Sequence, residues 1–429
     1  MKYSIYNSLI SVSQNTLLLF NSFTDSFFFL QPSVEMEVKD PVLMKRKHLK
    51  LYRKLVSGGV YVEERTDEFG RLKEYSNKVL LDEDSFFLII NPTMNCNLQC
   101  WYCYEHHFKS NMSMEIYSRV VSLIDKIMER GISSFTLGFF GGEPLMGYRK
   151  TILPLIEYTY NLGRKYGIEI RTTFTTNATL INDKVIAGLC KYGKPSFQIT
   201  LDGDESAHNE VRFLKNKKGT YSIILQNVKK LLENGCRVTL RINHTKDSID
   251  SIWNVIDLFD TLYNLNRNLL TIDFHRVWQD KEGSGVLHSV KLLADKLVEL
   301  GFKVRYNDLD EIKNPCYGDR KNTMVINYNG DVFKCTAKDF TKENREGILN
   351  EVGDIVWEKS QEHRLSLKLS NPLCSQCRIA PLCGGGCSRY ILDKKAMGQS
   401  SHCVFNDKEA EIDEFIVNHV EKIIRNQRV

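Results

Sequence analysis

The sequence predicts an α/β fold: a partial (β/α)6 TIM-like barrel, preceded by a small α+β module and followed by a cysteine-rich region. Three observations predict it. From Phe86 to Leu300, apolar runs of strand length alternate six times with amphipathic helical stretches. Such alternation implies a parallel sheet with helices outside it. The first 84 residues hold no cysteine and one histidine, His48, and seven of the 12 cysteines follow Tyr306, where the alternation stops. The expected domains are therefore 1–84, 85–304 and 305–429.

In the first module, Tyr3–Val12, Thr16–Phe20 and Phe27–Leu30 read as strands. A basic helical stretch follows at Leu43–Val56, then a short strand at Val60–Glu63. Asn21, Ser22, Asp25 and Ser26 interrupt the apolar stretch from Leu17 to Leu30. It therefore reads as two strands around a turn, not as a signal peptide. The six barrel units pair strand Phe86–Asn91 with helix Met114–Arg130, Ser134–Phe140 with Thr151–Tyr166, and Ile168–Phe174 with Asp183–Tyr192. Ser196–Leu201 with Tyr221–Asn234, Arg237–Asn243 with Ile249–Tyr263, and Leu269–Val277 with Val286–Leu300 complete them. A full barrel has eight units, so six leave an open side, with the chemistry expected in the loops at the C-terminal strand ends. Beyond Tyr306, Asn329-Gly330 predicts a hairpin between Met324–Asn327 and Val332–Lys334. A stretch poor in regular elements then leads to a helix at Asp407–Arg425.

The 429 residues are 42% hydrophobic and 26% charged, as in an ordinary globular chain and unlike a disordered or collagen-like one. A net charge of +5 without long like-charge blocks argues against nucleic acid or a membrane surface as partner. No run reaches the roughly 18 apolar residues of a membrane span. A chain this long can bury a core without disulfides. With no export signal it is expected in the reducing cytoplasm, where grouped cysteines point to metal or redox chemistry.

The first group is Cys96-x3-Cys100-x2-Cys103, just after the first barrel strand. It offers three thiolates on one loop, one short of the four that close an iron–sulfur cluster. A zinc site completed by His106 or His107 would use the same residues. After the second strand comes Gly141-Gly142-Glu143-Pro144. Paired glycines let backbone approach a ligand closely, and Glu143 could accept hydrogen bonds from a ligand ammonium, although such a pair also makes an ordinary turn. Thr175–Thr179, including Asn177, follows the third strand; its side chains suit a ribose or carboxylate and equally cap a helix. Thr200-Leu201-Asp202-Gly203, His208 and Arg212 follow at the fourth strand, and Arg241-Ile242-Asn243 lies on the fifth.

With these motifs in this order, residues 86 to about 300 resemble the radical S-adenosylmethionine (SAM) superfamily. The resemblance implies that Cys96, Cys100 and Cys103 hold a [4Fe–4S] cluster whose open iron is chelated by S-adenosyl-L-methionine. It implies that Gly141, Gly142, Glu143 and Pro144 cradle the SAM ammonium. Asn177, Thr200 and Arg212 would contact ribose or carboxylate, and Tyr102 would lie near the adenine; plain cover over the cluster is the other reading of Tyr102. An electron donor such as flavodoxin or ferredoxin would be a partner.

The second group reads Cys316, Cys335, Cys374-x2-Cys377-x5-Cys383-x3-Cys387 and Cys403. Cys-x2-Cys also suits a zinc ribbon. The spacing resembles the SPASM extension of radical SAM enzymes that modify peptides and proteins. The resemblance implies two auxiliary [4Fe–4S] clusters, three clusters in all. Cys316, Cys335 and Cys387 would hold the first, and Cys374, Cys377, Cys383 and Cys403 the second. Cys190 and Cys236 remain as buried small hydrophobes.

Relatives of this type mature either sulfatases or ribosomally made peptides. The sulfatase type has an Asp after the cysteine matching Cys335, where this chain has Thr336. The first module resembles leader-recognition modules, which add a peptide to a sheet edge; a structural cap is the other reading. The expected activity is therefore reductive SAM cleavage, with the resulting radical forming a thioether or carbon–carbon cross-link in a precursor peptide. The alternatives are a sulfatase-maturing enzyme and a non-catalytic iron–sulfur scaffold.

Overall fold

A computed structural model describes residues 1–254, 266–277, 279–280, 286–306, 312–359, 361–399, 403–405 and 408–426. The chain forms two compact units. One comprises Met1–Asp82, Leu309–Lys321 and Ser360–Val429, the other Glu83–Asp308 and Asn322–Lys359. Residues from both ends of the chain thus build the first unit, and Asn322–Lys359 packs with the barrel.

In the first unit, β1 (Lys2–Tyr3), β2 (Asn7–Ser13), β3 (Thr16–Asn21), β4 (Ser26–Leu30) and β5 (Tyr61–Val62) form two antiparallel sheets, β1-β5 and β2-β3-β4. The strand expected over Tyr3–Val12 is interrupted between β1 and β2. There the buried Glu68 carboxylate accepts from the Ser4 hydroxyl and, at 3.2 Å, from the Ile5 N–H. β3 is apolar from Leu17 to Phe20 because both its faces are covered. Leu18 and Phe20 pack with Ile412, Ile416 and Val420 of the C-terminal helix, and Leu17 and Leu19 with Val38, Met44 and Leu55. The helix expected at Leu43–Val56 is two, Pro41–Lys47 and Leu49–Ser57. His48 leaves helical geometry between them, with its ring 2.8 Å from the Glu37 carboxylate.

Helix Glu68–Leu80 was not expected; Asp67 caps it by accepting from the Gly70 N–H. Gln361–Ser366, Ala380–Cys383 and Ser388–Ala396 are helical where the sequence looked irregular. The closing helix spans Glu409–Asn426; Asp407 lies outside the described residues.

In the second unit the six expected strands are β6 (Ser85–Ile90), β7 (Ser134–Phe139), β8 (Glu169–Thr176), β9 (Ser196–Leu201), β10 (Arg237–His244) and β11 (Leu270–Arg276). They pair in parallel in chain order. Two more parallel strands extend them, β12 (Lys303–Arg305) beside β11 and β13 (Thr323–Ile326) beside β6. The expected hairpin joins β13 to β14 (Asp331–Phe333), and β15 (Gly347–Leu349) and β16 (Ile355–Trp357) continue antiparallel. β12 is too short to show a pattern. β13 pairs with a strand more than 200 residues earlier, and no local signal reports that.

Helices Met114–Met128, Leu153–Tyr166, Asp183–Cys190, Tyr221–Glu233 and Leu287–Glu299 match expectation. The helix expected at Ile249–Tyr263 begins as Ile249–Trp253, and its remainder lies outside the described residues. Alternate strand residues such as Phe197, Ile199, Leu201, Leu240, Ile242, Ile272 and Phe274 build the core beneath the helices. Their neighbours on the opposite face are polar, as strand periodicity requires. No helix among the described residues is long and apolar enough to cross a membrane.

Candidate active site

The cysteine loop leaves the end of β6, and the turn after β7 is fastened to it by backbone. Gly142 N–H donates to the Thr93 carbonyl at 3.2 Å and Glu143 N–H to the Asn95 carbonyl at 2.9 Å. A Cβ on Gly142 would stand 2.4 Å from the Asn95 carbonyl oxygen, and one on Gly141, where φ is +101°, 2.6 Å from that of Thr93. Both neighbours are backbone and cannot rotate away. The glycines therefore let one loop lie on the other, which fixes where the thiols begin.

The three thiols are electrostatic neighbours: Cys96 and Cys103 both feel Cys100. Burial raises the Cys96 and Cys103 thiols to about 12. Burial also raises Cys100, against the pull of Arg212. Such thiols stay protonated until a metal takes them as thiolates and releases their protons. His107 Nδ1 faces the Met94 carbonyl at 3.1 Å. A carbonyl only accepts, so Nδ1 carries the proton and Nε2, 3.2 Å from Cys103 Sγ, is the acceptor. His106 is paired with Asp339 instead. Among the described residues no three His, Cys, Asp or Glu side chains close on a single metal ion.

Tyr102 sits inside this loop, and its hydroxyl is a polar hub. It donates to Asp202 Oδ2 at 2.5 Å and accepts from Arg212 at 2.7 Å and Asn243 at 3.1 Å. Neither reading of Tyr102 from the sequence foresaw that role. Arg212 and Asp202 lie 3.8 Å apart, both under a tenth exposed. Burial raises the Asp202 carboxyl, and Arg212, Tyr102 and Asn243 draw it down.

Behind them, the Asp202 N–H donates to His208 Nδ1 at 3.2 Å, and His208 Nε2 faces Thr220 Oγ at 3.1 Å. The Thr220 hydroxyl donates to the Arg212 carbonyl at 2.7 Å. An N–H only donates, so His208 holds its proton on Nε2. His208 is fully buried, and burial lowers its pKa to about 3.

Glu143 is fully buried. Its carboxylate accepts from the Thr176 hydroxyl at 2.7 Å, the Asn177 N–H at 2.8 Å and the Leu145 N–H at 3.0 Å. It therefore joins the ends of β7 and β8, with one of about four acceptor positions left for a ligand. The Asn177 amide donates to Asn97 Oδ1 at 2.9 Å and lies 3.9 Å from Cys96 Sγ. Asn97 and Thr179 complete this contact at 2.8 Å; nothing in the sequence singled out Asn97. Pro144 starts the short helical turn after Glu143. Thr200 is on the polar face of β9, beside Arg241 in the register. Asp202 Oδ1 and Arg212 Nε are buried without a hydrogen-bond partner among the described residues. Three neighbouring thiols and orphaned polar atoms at the next strand end fit a three-thiolate cluster with a charged ligand beside it.

In the first unit, Cys374, Cys377, Cys383 and Cys403 are mutual electrostatic neighbours, and burial raises Cys374 to about 12 and Cys383 to about 11. Cys316 and Cys387 belong to turns tied together: Ser388 donates to Asp319, Lys368 pairs with Asp319 at 3.1 Å, and Lys368 Nζ donates to the Gly386 carbonyl at 2.6 Å. Cys335, in the second unit, follows β14 and accepts from the Ala337 N–H at 3.3 Å. Cys190 and Cys236 lie together with their sulfurs 3.6 Å apart, and Cys236 is fully buried.

Residues 90–259 match the model of the Radical SAM superfamily. The cysteine-type anaerobic sulfatase-maturating enzyme of Clostridium novyi is 26% identical over 346 residues, 71% of this chain and 88% of that enzyme. The GTP 3',8-cyclase of Clostridium perfringens is 25% identical over 318 residues, 66% of this chain and 93% of that enzyme. Among solved structures, native anSMEcpe with bound AdoMet and Cp18Cys peptide superposes with a TM-score of 0.57 at 18% identity, covering 79% of this chain and 99% of that one. Streptococcus suis SuiB bound to S-adenosylmethionine gives 0.53 at 17%, covering 92% and 97%. These likenesses show the fold.

Proposed function

We propose that this chain, an enzyme carrying a radical SAM domain, modifies a residue of a peptide or protein substrate. The observation that carries the reading is the junction of the Cys96–Cys103 loop with the Tyr102–Asp202–Arg212 network. A cluster on Cys96, Cys100 and Cys103 with SAM bound beside it supplies one-electron reductive cleavage and a carbon radical able to take hydrogen from a C–H bond. The chain's part is to bind, orient and exclude water. Arg212, Thr200 and Asn177 would contact the ribose or carboxylate of SAM, and Glu143 would offer its remaining acceptor position to the ammonium. Tyr102 holds Arg212 and Asp202 in place, and its ring would cover a cluster held by Cys96, Cys100 and Cys103.

A precursor peptide is the preferred substrate, with a thioether or carbon–carbon cross-link as product. The neighbouring fold of Streptococcus suis SuiB is known bound to the precursor peptide SuiA, and Thr336 stands where the sulfatase type would carry its acid. Sulfatase maturation is the second reading, favoured by the Clostridium novyi relative. The neighbouring thiols Cys374, Cys377, Cys383 and Cys403 support an auxiliary cluster there. Anoxic reconstitution with SAM and dithionite tests the core of the reading. Production of 5'-deoxyadenosine is expected, and none after full iron loading would refute it. Mass analysis of a peptide encoded beside the gene and of a sulfatase-derived cysteine peptide then separates the two readings.

A further inference from the structure

Four adjacent strands place one row of residues on the polar face of the second unit's sheet. Thr200 on β9 pairs with Arg241 on β10, Arg241 with Asp273 on β11, and Asp273 with Arg305 on β12. Leu240, Ile242, Ile272 and Phe274, which alternate with them, lie in the core beneath the helices. Asn243, on the same face as Arg241, reaches the Tyr102 hydroxyl. The row is therefore on the Tyr102 side of the sheet.

The charges along this row do not balance. Asp273 Oδ2 lies 3.3 Å from His275 Nε2 and 3.9 Å from an Arg305 guanidinium nitrogen. Two guanidinium groups, Arg241 and Arg305, thus share the one negative charge of Asp273 in this row. Arg241 Nε is buried and has no hydrogen-bond partner among the described residues. Burial dominates the guanidinium's proton affinity and lowers it, although Asp273 and Asp202 act the other way. Arg241 as a whole is half-buried, but a cation whose Nε is sealed from water and short of counter-charge still gains when an anion meets its guanidinium. A guanidinium meets a carboxylate best, through two parallel hydrogen bonds.

The place of the row in the sheet bears on the source of that carboxylate. The thiol loop follows β6, and β12 lies six strands away in the sheet order. Arg241 and Arg305 are two strands apart, roughly 10 Å at ordinary strand spacing. A ligand engaging both extends away from the thiols, as a substrate does.

We infer that Arg241 and Arg305 form a subsite for a carboxylate, presented by an Asp or Glu side chain of the peptide substrate, with Asp273 setting its strength. This rests on the peptide reading above.

The test uses anoxically reconstituted, SAM-loaded enzyme in equilibrium dialysis against N-acetyl-Ala-Glu-Ala-amide and its Gln counterpart, read by mass spectrometry. The Glu peptide should be retained about fivefold better, and Arg241→Met should bring the two to parity. Asp273→Asn should raise the preference for Glu, a gain that misfolding cannot produce. Equal retention by the wild type would overturn the subsite, as would a preference that survives Arg241→Met. A tenfold loss of SAM affinity in Arg241→Met with the peptide preference intact would also overturn it, and would give the residue to the SAM carboxylate. 5'-Deoxyadenosine measured in the same samples reports separately on the radical chemistry, because dialysis needs no turnover.

Discussion

The Tyr102 hydroxyl stands 2.7 Å from an Arg212 guanidinium nitrogen, although 110 residues separate the two. Tyr102 lies between Cys100 and Cys103, and Arg212 follows the helix after β9. The bond therefore links the thiol loop after β6 to the segment that follows β9. Arg212 and Asp202 are 3.8 Å apart, and the hydroxyl bridges them. Arg212 also acts on all three thiols by its charge. Its position thus bears on both the thiols and the polar network around Tyr102.

Tyr102→Phe removes one donor and two acceptor contacts from buried partners. An unsatisfied buried polar group costs about 1–3 kcal/mol. SAM affinity should fall about tenfold or more, since 1.4 kcal/mol is a factor of ten. Iron and sulfide content should stay at the wild-type level, because the three thiols remain. Binding of labelled SAM to the reconstituted variant checks this; unchanged affinity would mean that Arg212 is held without the hydroxyl.

Gly142→Ala places a methyl where two backbone carbonyl oxygens stand 2.4 and 2.6 Å away. The loops must separate, and overpacking of this kind costs typically about 1–3 kcal/mol. The expected result is reduced iron incorporation and a lower melting temperature in the empty protein. Wild-type iron loading would show that the contact between Gly142 and Asn95 does not position the thiols.

How far the sequence made this site legible depends on where each partner lies. The βα rhythm, the spacing of Cys96, Cys100 and Cys103 and the pairing of Gly141 with Gly142 are local, and the structure places them at one end of the sheet. The Tyr102 hub was not legible. Its partners Asp202, Arg212 and Asn243 come from other strands, and a hydroxyl's direction leaves no mark on spacing. Helix Glu68–Leu80 was missed because Gly70 and scattered polar residues blur its apolar stripe. The union of both chain ends in the first unit rests on contacts such as Phe20 with Ile416, which no periodicity reports.

Glu143→Gln keeps the size of a fully buried carboxylate that accepts from three donors. The amide turns one acceptor into a donor facing other donors. Stability should drop by about 1–3 kcal/mol, and the joined ends of β7 and β8 should loosen. Denaturant unfolding of the empty protein reads the first. Faster amide exchange at Asn177, whose N–H is held at 2.8 Å, reads the second. No change in either would leave Glu143 free for a ligand alone.

Cys374→Ala removes one of four mutually interacting thiols in the first unit. If they share one cluster, iron falls by about four atoms per chain, and Cys374→Ala with Cys383→Ala falls no further. An additive loss in the double variant would show separate sites. In either case the loop of Cys96 is unaltered, so SAM binding should persist.

His208 should make stability pH-dependent. Its pKa falls from 6.5 to about 3 on folding because burial disfavours the charged ring. Below pH 6.5 the unfolded chain binds a proton there that the folded chain does not. Stability therefore rises with pH through this window and is complete above it. In the window the loss approaches about 1.4 kcal/mol per pH unit. His208→Gln abolishes that titration but also breaks the relay from Asp202 to Thr220, so it should be less stable at pH 7.5 by about 1–3 kcal/mol. The gap to the wild type should shrink by about 1 kcal/mol by pH 5.5. Urea unfolding of the empty proteins at the two pH values measures it. Parallel curves would mean that the imidazole is not held neutral between Asp202 and Thr220, and the buttress behind Arg212 would then need another account.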